Sequence, residues 1–131
     1  MNNEIKLAVE TWKNILRERW IYLTSGDFPK ISKDLGPVSE EILDRFGKAL
    51  GKLLEEAVKD VVWPYCNTHS EFHPDPMLMQ AAIEAGLSKH QADLLFPIDA
   101  QICIAPNSVT VRIGADAEAK EIFPQAVITG A

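Results

Sequence analysis

The sequence predicts an α+β fold, mostly helical, and three observations carry that prediction. Apolar residues recur at helical spacing over residues 3–23 and again over 39–62, which gives two long helices that pack antiparallel. Two shorter helical stretches between 76 and 96 meet at a glycine, in a corner like a helix-turn-helix. From residue 100 the period drops from about 3.6 residues to 2, the signature of a C-terminal β-hairpin.

The first helix is read from Ile5, Ala8, Trp12, Ile15, Leu16, Arg19 and Leu23, with Trp20 and Ile21 widening the apolar face. Residues 24–38 hold Gly26, Pro29, Gly36 and Pro37, and read as a loop with one short turn. Ser39 is a good N-cap for the second helix, and Glu40 and Glu41 follow in the first turn, where the helix dipole favours acids. Val38 and Leu43 sit at the positions of a hydrophobic staple. The apolar face then runs from Ile42 through Phe46, Leu50 and Leu54 to Val61 and Val62, and Pro64 ends it. Leu50 and Leu54 are expected in the core. Gly47 and Gly51 lie four apart on one side, which calls for a close approach by the first helix to offset their low helix propensity.

Residues 63–75 read as a polar loop with Trp63, Tyr65 and Phe72 as aromatic anchors, Phe72 plugging the core. Asp75 and Pro76 form an N-cap and first-turn pair; Gly86 closes that helix, Ser88 caps the next, and Pro97 bounds it. Ala100, Ile102 and Ile104 alternate with Gln101 and Cys103, and Val109, Val111 and Ile113 alternate with Thr110 and Arg112, with Pro106-Asn107-Ser108 between them. Asp116 is a candidate cap for a short helix ending at Pro124, and residues 126–129 read as a third strand or a loose tail.

The chain of 131 residues fits one domain, 1–131, able to bury a core without staples. At 47% apolar and 24% charged it has the composition of a folded protein. The polar N-terminus lacks a secretory pattern, and no run approaches the ~18 apolar residues of a membrane span. Cys66 and Cys103 make no disulfide framework, and Cys103 in its apolar run reads as a reduced, buried thiol. A cytoplasmic protein is expected. The net charge of −6 is uneven: ten basic groups face eleven acidic ones in residues 1–62, against three and eight in 63–131. An acidic C-terminal half repels phosphate backbones and favours basic or neutral partners.

Three functional readings follow. Within ten residues, Cys66, His69, Glu71, His73 and Asp75 have the donor types for zinc, or for acid–base work by a metal-dependent or acid–base enzyme using loop 66–75. A structural zinc site needs four ligands, no second Cys/His cluster follows, and Asp75 already serves as a cap, so no metal and no cofactor are expected. Segment 77–96 has the layout of a DNA-reading helix-turn-helix, with Lys89, His90 and Gln91 where base contacts would fall. The second helix is short, however, and its surroundings are acidic, which argues against nucleic acid. No nucleophile elbow, phosphate-binding glycine loop or HExxH pattern is present. What remains is a small non-catalytic protein-binding module: an adaptor, inhibitor or regulatory subunit that binds another protein or a second copy of itself. The hairpin side chains facing away from the helices, Gln101, Cys103, Thr110 and Arg112, are the candidate interface, and an open hairpin edge is the candidate site of self-pairing.

Overall fold

In the computed structural model, which describes residues 2–59, 66–97, 99–114 and 116–123, the mixed α+β architecture takes the form of helices layered on a five-stranded antiparallel sheet. Helix α1, Asn2–Leu23, buries Ile5, Ala8, Val9, Trp12, Ile15, Leu16 and Leu23. The segment expected as a loop forms a short helix, α2, Pro29–Leu35, with proline in its first turn and Leu35 buried. Seven residues with one buried side chain are too few to display a period. Helix α3, Glu40–Lys59, starts where Ser39 Oγ accepts from the Ile42 amide at 3.2 Å, and Val38 and Leu43 are both buried beside that turn. Val61, Val62, Trp63, Pro64 and Tyr65 lie outside the described residues.

The two long helices are antiparallel. Arg17 meets Glu40 at 2.7 Å and Lys13 meets Asp44 at 2.9 Å, while Val9 lies against Gly47 and Gly51. A Cβ on Gly47 would stand 2.9 Å from Lys13 Cδ and 3.2 Å from Val9 Cγ1, so the glycine lets the two helices close together. Leu50 and Leu54 are fully buried, as the apolar stripe requires.

Helix α4, Pro76–Glu84, is capped by Asp75, whose carboxylate accepts from the Leu78 amide at 2.8 Å. Gly86, at φ +101°, reverses the chain after it, and the Leu87 amide returns to the Ala82 carbonyl. Helix α5, Lys89–Leu95, opens with a reciprocal capping box between Ser88 and Gln91.

The segment expected as a polar loop is instead two strands, β1 (Cys66–Glu71) and β2 (His73–Pro74). The hairpin is β3 (Asp99–Ala105) and β4 (Ser108–Ile113), joined by Pro106 and Asn107, with Asn107 at φ +59°. Strand β5, Lys120–Glu121, stands where a helix capped by Asp116 was expected, and residues 116–123 hold no helix. Pro124 and the expected strand at 126–129 lie outside the described residues.

The strand order is β2-β1-β3-β4-β5. The hairpin is therefore internal: β1 pairs with β3 from Cys66↔Ile104 to Glu71↔Asp99, and β5 pairs with β4 at Thr110↔Glu121 and Val111↔Lys120. The open hairpin edge expected from the sequence is taken by these neighbours. No apolar alternation announces strand β1, because Thr68 and Ser70, the inward residues among its described side chains, are polar. The outermost strands β2 and β5 are two residues long each, a length that blunts edge-to-edge pairing.

One core joins the layers. Trp12 and Phe46 both meet Phe96 edge-on, at centroid distances of 5.7 and 5.9 Å, and Ala100, Ile102, Ile104 and Val109 complete the cluster from the sheet.

Candidate binding surface

Because strand side chains alternate, the face of β3 that buries Ala100, Ile102 and Ile104 under the helices turns Gln101 and Cys103 the other way. Register then assembles the rest of that outer face. Gln101 lies opposite Arg112 and Cys103 opposite Thr110 on β4, while His69 and Asn67 of β1 flank Gln101 and Cys103 from the other side. The four hairpin residues singled out from the sequence thus share one face, each half-buried among its sheet neighbours. Cys103 is accordingly half-buried on the polar face, not enclosed in the apolar core.

The face is cross-linked by polar contacts. Arg112 donates to Asp99 at 3.0 Å and to the Gly114 carbonyl at 2.8 Å, and Cys103 Sγ donates to Asn67 Oδ1 at 3.5 Å. At the β5 side, Glu121 accepts from Ser108 Oγ at 2.7 Å and from the Val109 and Phe123 amides. Partial desolvation raises its pKa, but these hydrogen bonds outweigh it and hold the carboxyl below its ordinary range. Asn67, Asp99 and Glu121 were not singled out from the sequence. The unread strand β1 hid Asn67, and only the register of β3 with β4 brings Asp99 to Arg112.

The Cys66–Asp75 cluster is spread along β1 and β2. His69 Nδ1 lies 3.4 Å from Asp75, whose carboxylate also accepts from the His69 amide and caps α4. His73 Nδ1 lies 3.1 Å from Asp93 on α5. The two imidazoles are thus held by different carboxylates, and the Cys66 side chain is not among those described. Among the described residues, no three of His, Cys, Asp and Glu come together as an ion's ligand set. Phe72 is not a core plug: it stands 69% exposed at the tip between β1 and β2.

In the helical corner, Lys89 and His90 are exposed, but Gln91 is engaged twice. Its Oε1 accepts from the Ser88 amide at 2.9 Å, and its Nε2 donates to the Leu35 carbonyl at 2.8 Å, tying α5 to α2. The hollows are shallow. One of about 270 Å³ lies against β4 and β5, lined by Thr11, Val111, Ile113, Ala117, Glu118, Lys120 and Ile122, and another of about 250 Å³ lies between α1 and α3 beside Trp20. Among the described residues no helix is long and apolar enough to cross a membrane.

These features define a class: α+β domains in which helices lie on one face of an antiparallel sheet and a polar face is left on the other. The fold is that of a BTG/Tob domain. The chain is similar to the BTG/Tob domain of C. elegans FOG-3, with a TM-score of 0.59 and 18% sequence identity over 93% of this chain and 89% of that one. No family model matches the sequence, and no curated protein does.

Proposed function

We propose that this protein is a small non-catalytic protein-binding module, an adaptor, inhibitor or regulatory subunit, whose outer sheet face meets another protein or a second copy of the chain. The observation that carries the reading is the one-sided layering. The helices and the inner sheet face build the core, while Gln101, Cys103, Thr110 and Arg112 stand together on the other face. Because the hairpin is internal to the sheet, the reading assigns the contact to the sheet face and not to a hairpin edge. An acidic C-terminal half favours a basic or neutral partner and makes association salt-sensitive. The shared fold with a BTG/Tob domain supports the architecture of such a module and by itself assigns no activity.

Light scattering over a range of micromolar concentrations tests the second-copy branch, and native capture read by mass spectrometry tests the other. A concentration-dependent mass, or a specific captured protein whose binding weakens with salt, is the expected outcome. A chain monomeric at every concentration that captures nothing above background would overturn the proposal.

A further inference from the structure

The turn between β1 and β2 presents a feature that the fold does not need. Glu71 and His73 are paired, so one residue, Phe72, reverses the chain. That reversal sets its φ at +63°, a conformation that suits glycine, asparagine or aspartate and is strained for a bulky side chain. The ring is 69% exposed, the largest exposure among the large apolar side chains described. An aromatic here gains little from packing and carries backbone strain, so its benefit lies outside the fold.

The mount is rigid. Ser70 Oγ donates to the Pro97 carbonyl at 2.7 Å, the Asp75 amide donates to the His69 carbonyl at 2.9 Å, and His73 is held to Asp93. An aromatic ring on a fixed turn has few torsions left to freeze, which is the usual makeup of an interface anchor. One flank of the ring is acidic. Glu71 is exposed and has no cationic partner among the described residues, whereas on the other flank His73 is held by Asp93. Asp99, opposite Glu71 in the sheet, is by contrast answered by Arg112.

We propose that Phe72 is a docking knob that inserts into an apolar pocket rimmed by lysine and arginine on another protein. The Glu71 carboxylate beside the ring complements such a rim and raises the association rate, and it repels an anionic lipid surface. The inference rests on the protein-binding reading but uses a different part of the molecule from the outer sheet face.

The test places p-benzoylphenylalanine at position 72 of the full chain and, as a control, at exposed position 27, and crosslinks each in the cell of origin. The protein joined at 72 is then purified and titrated against wild type, Phe72→Gly, Phe72→Asn, Glu71→Lys and the pair Gln101→Glu with Thr110→Arg, in which each new charge lies opposite one of the other sign, Arg112 and Glu121. The expected result is one adduct at 72 that is absent at 27. Affinity should fall at least tenfold in Phe72→Gly and Phe72→Asn and severalfold in Glu71→Lys, and wild-type binding should weaken with salt. Neither Phe72 variant should melt lower than wild type, since both residues accept the positive φ. Equal adducts at 72 and 27, equal affinity of Phe72→Gly and wild type, or a lowered melting temperature in both Phe72 variants would overturn the proposal. Flotation of wild type but not Phe72→Gly with phosphatidylcholine–phosphatidylserine vesicles would also overturn it, by assigning the ring to lipid. Affinity lost in the sheet-face pair but unchanged in Phe72→Gly would reject the knob and leave the sheet-face reading standing.

Discussion

The two faces of the sheet use the same strands for different ends. On the inner face Ala100, Ile102, Ile104 and Val109 are buried with the helices, and even the polar residues there are committed: Thr68 Oγ1 accepts from Trp12 Nε1 at 2.8 Å and donates to the Ile102 carbonyl at 3.1 Å. On the outer face Gln101 and Thr110 remain half-buried, with Arg112 clamping Asp99 beside them. Substitutions on the two faces should therefore register in different measurements. Inner-face changes are expected to act on stability; if the proposed interface is right, outer-face changes that respect the cross-strand charges are expected to act on association and to leave the fold nearly untouched.

The largest effect is expected from the apolar inner positions. Ile102→Ala should cost roughly 2–5 kcal/mol in urea unfolding, and Leu50→Ala in α3 a similar amount, since both side chains are fully buried. A loss under about 0.5 kcal/mol at Ile102, the scale of a neutral surface change, would erase the contrast between the faces. The polar inner position comes next. Thr68→Val keeps the shape but leaves the Trp12 indole N–H buried without its acceptor, which should cost about 1–3 kcal/mol. Trp12→Phe is itself costly in this buried site, but the double variant should lose less than the sum of the two single losses, and strictly additive losses would show that the two side chains do not act together.

The smallest effect comes from the exposed ion pairs on α1 and α3. The hydrogen bond from Arg17 holds the Glu40 carboxyl below its ordinary value of 4.5, and that from Lys13 holds Asp44 below 3.8. A lowered carboxylate pKa adds stability that is present above the unfolded-state value and is lost as pH falls through the folded one. The melting temperature should therefore decline below about pH 4.5, and the gap between wild type and Glu40→Gln should close over the same interval. The gap should also shrink with salt, as exposed pairs are screened. A gap that persists unchanged at pH 3 would place the contribution of Glu40 elsewhere.

Much of the architecture is written in periodicity. Helices α1 and α3 and the hairpin each show their buried stripe in the sequence, and the small residues at 47 and 51 announce the helix crossing. The caps at Ser39, Asp75 and Ser88 are readable because capping depends on residue type at one position. Strand β1 is not readable in that way. Among its described side chains the buried ones are Thr68 and Ser70, satisfied by Trp12, Ile102 and Pro97, which are distant in sequence. The outer face was half legible: alternation places Gln101, Cys103, Thr110 and Arg112 together, but only the sheet order adds Asn67 and His69 and shows the hairpin edge to be occupied. Phe72 was legible as an aromatic anchor, and its direction was not, because exposure at a one-residue turn follows from the pairing of Glu71 with His73.

The proposed division of labour between the two faces is tested most directly by one paired measurement on the Gln101→Glu, Thr110→Arg variant, whose new charges lie opposite Arg112 and Glu121: unfolding free energy, and association with the partner or second copy recovered by wild type. Because both new charges are matched across the strands, stability is expected within about 0.5 kcal/mol of wild type for each change, with association lost. Association at wild-type strength in a folded variant would contradict that division of labour.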